Sequence, residues 1–174
     1  MKHFVKFFVV TFFLLFCTHV LAEQKIVILD LKYVLNNSKA GKGAQDFLKK
    51  SFAESTKKYT DMEKDLKKEE KELLNKKTVI SKEEYIKRSD SLRKKVIDYQ
   101  SQRRGSVDKI ATLRTESRQK LIEAIEPILE TYIKENSISL VVDKKYTLGG
   151  NPANDITKII IEKLDKSLPS LNLK

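Results

Sequence analysis

The chain reads as an α+β protein. A small β-rich body is assembled from both ends of the sequence, and a long antiparallel coiled-coil hairpin of two helices lies between them. Three observations predict this. Two short apolar runs, residues 26–29 (IVIL) and 138–142 (ISLVV), have the composition of buried strands yet stand more than a hundred residues apart. Between residues 42 and 133 only Gly43, Gly105 and Pro127 interrupt a composition rich in Lys, Glu, Leu, Ser and Asp. Within that stretch apolar side chains recur at steps of three and four, in a stripe only as wide as a two-helix seam.

The first residues read as an export signal. Lys2 and Lys6 flank the start of an apolar core at residues 7–16, and Val20-Leu21-Ala22 fits a small-residue cleavage site. The apolar stretch falls short of the roughly 20 residues that span a bilayer, which favours a cleaved peptide over a retained anchor. Cys17 follows bulky Phe16 inside that core, a poor setting for lipidation. Cleavage after Ala22 removes Cys17, His3 and His19, the only cysteine and histidines, and the sequence has no Trp. What remains excludes disulfides, Cys- or His-dependent catalysis and the usual zinc sites. No cofactor, metal or enzymatic activity is expected.

Residues 23–41 and 121–174 are expected to form the body, and residues 42–120 the arm. On the outgoing limb the stripe runs Ala44, Phe47, Ser51, Ser55, Tyr59, Met62, Leu66 and Leu73. On the return limb it runs Leu92, Val96, Tyr99, Val107, Ile110, Leu113, Leu121, Ile125, Ile128 and Tyr132. Residues 75–80 break the pattern with β-branched side chains, and Ser81-Lys82-Glu83-Glu84 matches a capping box that starts a new helix. The hairpin tip therefore falls at residues 76–82. The return limb, 82–135, exceeds the outgoing limb, 42–77, by roughly 18 residues, or about 27 Å of helix. That excess carries the chain back past the first strand and allows the second strand to lie parallel to it. Pro127 is expected to mark a bend where arm becomes body.

Beyond the second strand, Asp143-Lys144-Lys145 reads as a turn and Tyr146-Thr147-Leu148 as a short third strand, with residues 149–152 as a loop. Asn154 or Asp155 can cap a last helix bearing Ile156, Ile159, Ile160 and Leu164 on one face. A body of roughly fifty residues is marginal as a core on its own. Strands as apolar as Ile26, Val27, Ile28, Leu29 and Leu140, Val141, Val142 want burial on both faces. The missing cover is expected to be another copy of the chain, which makes these residues the candidate oligomerisation surface.

Charge is concentrated on the arm. Residues 49–120 hold 22 Lys/Arg against 13 Asp/Glu, a net of +9, so the two ends are together close to neutral once residues 1–22 are set aside. Such an excess suggests an acidic partner or an anionic surface.

Three stretches, "VLNNSKAGKGAQ", "SISLVVDKKYTLGG" and "NDITKIIIEKLD", carry a family resemblance. With them the chain resembles the Skp/OmpH family of periplasmic chaperones across essentially its whole length after the signal. The specific part is the paired end motifs LVVD and DIT; the coiled middle is generic. The resemblance implies a homotrimer in which the β-rich body joins three helical hairpins around a cavity. It also implies a periplasmic, ATP-independent protein that holds unfolded outer-membrane proteins and prevents their aggregation. Arm side chains that a thin hairpin cannot bury are then candidate client contacts: Phe47, Phe52, Tyr59, Met62, Tyr85 and Tyr99. Their bland alternative is that they fill the seam. The cations Lys76, Lys77, Lys82, Lys87 and Arg88 near the tip, with Arg93 on the return limb, would attract acidic clients and anionic lipid or lipopolysaccharide; otherwise they form a solvated face. Gly105 either loosens the return limb or is a tolerated helix glycine. Two rival functions are weaker. A structural coiled-coil adaptor of the envelope would need flanking β domains for which there is no room. A basic nucleic-acid-binding coiled coil fits the net charge of +11, but the sequence shows no base-reading or stacking motif and export argues against it.

Overall fold

The computed structural model describes residues 24–173; the expected signal peptide of residues 1–22 lies outside the described residues. Two strands, β1 (Lys25–Leu29) and β2 (Ile138–Asp143), pair in parallel as a two-stranded sheet. Between them lie a short helix α1 (Leu31–Asn37) and two long ones, α2 (Lys39–Asn75) and α3 (Lys82–Glu135), and α4 (Thr157–Ser167) follows β2. A parallel pair cannot be closed by a tight turn, so the whole hairpin serves as the crossover. The unequal limbs, 37 residues in α2 and 54 in α3, provide the return length this requires.

The starts of α1, α2 and α3 each have a side-chain cap that satisfies an otherwise orphaned amide. The Asp30 carboxylate accepts from the Tyr33 amide at 2.8 Å, and the Ser38 hydroxyl accepts from Gly41 at 3.2 Å. Ser81 accepts from Glu84 at 3.1 Å, which is half of the expected capping box. The other half does not form, because the Glu84 carboxylate pairs with Arg88 one turn on. Residues 76–80 form the tip between Asn75 and Lys82.

The core gathers both ends of the chain on one side of the sheet. Val27 and Leu29 of β1 and Ile138 of β2 pack with Val34, Leu35, Ala40, Leu121, Ile125, Ile156, Ile160 and Leu164. Lys25 pairs with Ile138 but Ile26 pairs with Leu140, so Ser139 is an extra residue in β2. That bulge keeps both Ile138 and Val141 facing the core, because paired residues share a face and one inserted residue resets the alternation. The outer face is left with Ile26, Ile28, Leu140 and Val142.

Three details depart from the sequence reading. Residues 144–146 form a 3-10 turn rather than entering a third strand, and Leu148 is fully exposed. The far edge of β1 is met instead by a single bridge between Ile28 and Asp155, closed by the Ile156 amide on the Ile28 carbonyl at 2.9 Å. Ile159 is exposed, since Ile156, Ile160 and Leu164 already form the inward row at steps of four. Helix α3 continues through Pro127, which lies on an exposed face where one ladder donor is lost, a setting in which proline bends a helix without ending it. The chain also turns helical earlier than residue 42: α1 and the Ser38 cap occupy the segment assigned to the start of the body.

Gly41 shows how tight that early turn is. A Cβ there would sit 2.0 Å from the Leu35 carbonyl oxygen, whereas one at Gly43 would meet nothing within 4 Å. Gly41→Ala is therefore expected to destabilise the fold by about 1–3 kcal/mol, as overpacking does. Gly43→Ala should instead stabilise it by up to about 1 kcal/mol through helix propensity. Urea unfolding of the two variants checks this; equal shifts in midpoint would contradict the close approach.

Candidate functional site

The end motifs LVVD and DIT build a clasp around the sheet. In Asp155-Ile156-Thr157, Ile156 donates to Ile28, and the Thr157 hydroxyl accepts from the Asp30 amide at 2.9 Å. Asp155 accepts from the Thr157 amide at 3.0 Å and from the Lys144 ammonium at 2.8 Å. Asp143 at the end of β2 accepts from the Lys145 amide at 3.0 Å and starts the turn that delivers Lys144. Lower on α4, Asp165 accepts from the Lys39 amide at 2.6 Å and ties the last helix to the start of α2. The motif residues therefore join β1, β2 and the start of α4 at one place, and Asp165 adds the start of α2.

This setting shifts the Asp155 carboxyl. Burial alone would raise its pKa; hydrogen bonds from Lys144 and Thr157, with the Lys144 charge, outweigh burial and hold it at about 2. The same contact raises Lys144.

The seven candidate oligomerisation residues divide between the two sheet faces. Val27 and Leu29 are buried in the chain's own core, and Val141 packs against it. Ile26 (45% exposed) and Leu140 (53% exposed) lie side by side on the outer face, with Ile28 and Val142 half-buried beside them. Four of the seven thus line one open apolar strip.

Along the arm the seam alternates apolar and polar contacts. Tyr59 and Tyr99 are buried in it with rings edge to face at 6.1 Å; their hydroxyls donate to the Gln102 carbonyl at 2.9 Å and to Glu63 at 3.3 Å. Nearer the base, the Ser55 and Ser106 hydroxyls meet at 2.7 Å. Ser106, not Val107, is the seam residue; Val107 points outward and is 51% exposed. Met62 and Tyr85 are half-buried, as is Phe47, while Phe52 stands exposed. A salt bridge from Lys95 to Glu69 at 2.7 Å crosses between the helices.

The candidate cations are not one cluster. Lys76 and Arg88 line one groove with Glu69, Glu72 and Ser91. Arg93 lines a different groove of about 480 Å³ with Leu66, Leu74, Val96, Ile97 and Tyr99. Lys77 lies 6.0 Å from the Tyr85 ring centre. Lys82 and Lys87 are exposed at the start of α3. Sequence reading missed Leu74, Val79, Ile86 and Ile97, all at least half exposed. Each lies off the seam stripe, where helical periodicity gives no signal for an apolar side chain.

Because Asp155 has a depressed folded pKa, its contribution to stability is complete above its ordinary value of 3.8 and is lost as pH falls towards about 2. Urea midpoints measured from pH 5 to pH 2 should therefore fall more steeply for the native chain than for Asp155→Asn. Parallel slopes would remove Asp155 from the clasp.

Comparison with known proteins agrees with this architecture. The family model for outer membrane protein (OmpH-like) matches residues 25–164. A Skp-like protein of Pseudomonas aeruginosa is 24% identical over 166 residues, covering 95% of this chain and 99% of its own length. Among solved structures, a Caulobacter crescentus protein described as an OmpH-like outer membrane chaperone superposes with a TM-score of 0.80 at 20% identity, covering 90% of this chain and 93% of its own. From β1 to the last turn of α4, the chain belongs to the OmpH-like outer membrane protein family.

Proposed function

We propose that this chain is an ATP-independent holdase chaperone of the periplasm, exported with residues 1–22 removed. Three copies join through their bodies, and the hairpin arms hold unfolded outer-membrane proteins between them until delivery. The observation that carries the reading is the open strip of Ile26, Ile28, Leu140 and Val142 on a body that also roots a long exposed arm. A strip of that kind on a small sheet calls for cover, and a second surface of the same sort supplies it without a new partner. Joined bodies then bring several arms around one space, where weak apolar and charged contacts add up. Arm cations, including Lys76, Lys77, Lys82 and Lys87 near the tip, favour acidic clients and anionic lipid or lipopolysaccharide surfaces. Binding of this kind needs no nucleotide, because it lowers the free concentration of aggregation-prone chain by mass action alone.

Sedimentation equilibrium of the chain from residue 23 onward should give three times the subunit mass. Leu140→Glu, which places a charge on the outer face, should lower that mass to one subunit while the far-UV circular dichroism stays helical. Dilution of a urea-unfolded outer-membrane β-barrel into buffer with stoichiometric trimer, without nucleotide, should suppress light scattering. Unchanged scattering would rule out the holdase. Charge reversal at Lys76, Lys77, Lys82, Lys87 and Arg88 should weaken capture most at low salt; undiminished capture there would reduce these residues to solubilising charge.

A further inference from the structure

The two long helices leave five large apolar side chains exposed: Phe52 and Leu74 on α2, and Ile86, Ile97 and Val107 on α3. Each stands one position after a buried or half-buried seam residue, namely Ser51, Leu73, Tyr85, Val96 and Ser106. One residue turns a helix by roughly 100°. In an antiparallel pair, that step in chain direction brings both helices to the same side of the plane through their axes. All five therefore lie along one side of the arm.

The grooves place the same rows together. Near the tip, Leu74 and Ile97 line one groove with Lys67 and Arg93. Near the base, Phe52 and Lys49 line another with Arg114 and Arg118. The opposite side is built differently: its groove is lined by Glu69, Glu72, Lys76, Arg88 and Ser91, and the Lys95–Glu69 bridge crosses beside it. Among the described residues of the two helices, no large exposed apolar side chain lies on that side. On the apolar side the cations Lys49, Lys67, Arg93, Arg104, Arg114 and Arg118 outnumber the acids Asp46, Glu63, Glu70 and Asp90.

We infer that this apolar, cationic side is the surface that receives the client: an unfolded polypeptide in which apolar side chains alternate with acidic ones. The inference rests on the chaperone reading above and adds to it a side and a chemistry. A second copy presenting the same side is a poor occupant, since it would set cations against cations. An extended client fits the dimensions. Leu74 and Phe52 are 22 positions apart on α2, about 33 Å along the axis, and an extended segment of roughly ten residues spans that distance.

Residues 23–174 contain no cysteine, so single cysteines can carry a photo-crosslinker without interference. Gln100→Cys and Ala111→Cys place it on the apolar side; Ser91→Cys and Thr112→Cys place it on the other. With a urea-unfolded outer-membrane β-barrel as client, adducts from positions 100 and 111 should exceed those from 91 and 112 by about tenfold, the factor that 1.4 kcal/mol of preference yields. In parallel, the combined variant Phe52→Ser, Leu74→Ser, Ile97→Ser and Val107→Ser should need about tenfold more protein to suppress aggregation. Equal adducts from both sides overturn the inference, as do adducts from 100 and 111 that join two copies of this chain. Failure of the native chain to capture the client at all would overturn the chaperone reading itself, which keeps the two outcomes apart.

Discussion

Parallel pairing of Lys25–Leu29 with Ile138–Asp143 obliges the chain to leave the sheet at one end and return at the other, and the arm is the path it takes. An antiparallel pair could be closed with two residues; a parallel pair needs a crossover. Here the crossover has been extended far past what closure demands, because loop length adds only slowly to the entropic cost of bringing the ends together. The joint must then be secured at the ends themselves. Ile156 and Thr157 bind the free edge of β1 and the amide after it, Asp165 holds the start of α2, and Ile160 and Leu164 fill the space beneath.

The arm obeys a different constraint. Two helices share one narrow seam, so each can bury little more than one residue per turn. Midway along, that seam is finished with hydroxyls rather than bulk: Ser55 on Ser106, and Tyr59 on the Gln102 carbonyl. Hydrogen bonds of this sort contribute modestly while fixing register. The surface ion pairs of the arm add little stability, since most join exposed neighbours three or four residues apart. Apolar side chains beyond the seam have nowhere to go within the hairpin, and their confinement to one side gives the rod two unlike surfaces.

Much of this was legible in the sequence because period and composition report directly on long helices. The tip, the Ser81 cap and the two strands follow from local signals that tertiary packing did not override. Direction of pairing was left open by the sequence: the limb lengths allow a parallel second strand without requiring it, and the structure shows the parallel pair. What escaped was fine register. Val107 and Ser106 differ by one position, and hydrophobicity favours the wrong one; a serine wins the seam because it has a serine opposite. The third strand failed because residues 144–148 turn outward under the Asp143 cap, while the Ile28 carbonyl is met by Ile156. The Ser139 bulge, which decides which half of β2 faces the core, has no sequence signal apart from a single small polar residue between apolar ones.

Body and arm thus divide the work of folding and of contact with partners, and the proposed chaperone role draws on that division: a secured joint allows a weakly held, two-faced rod to remain exposed. Hydrogen exchange followed by mass spectrometry tests the division most directly. Amides of β1, β2 and α4 should be the slowest in the chain and should exchange together, as one cooperative unit at the global unfolding free energy, while residues 60–100 open locally and exchange faster. If the arm amides were the slowest and those of the two strands exchanged freely, the ends of the chain would not be what holds this protein together.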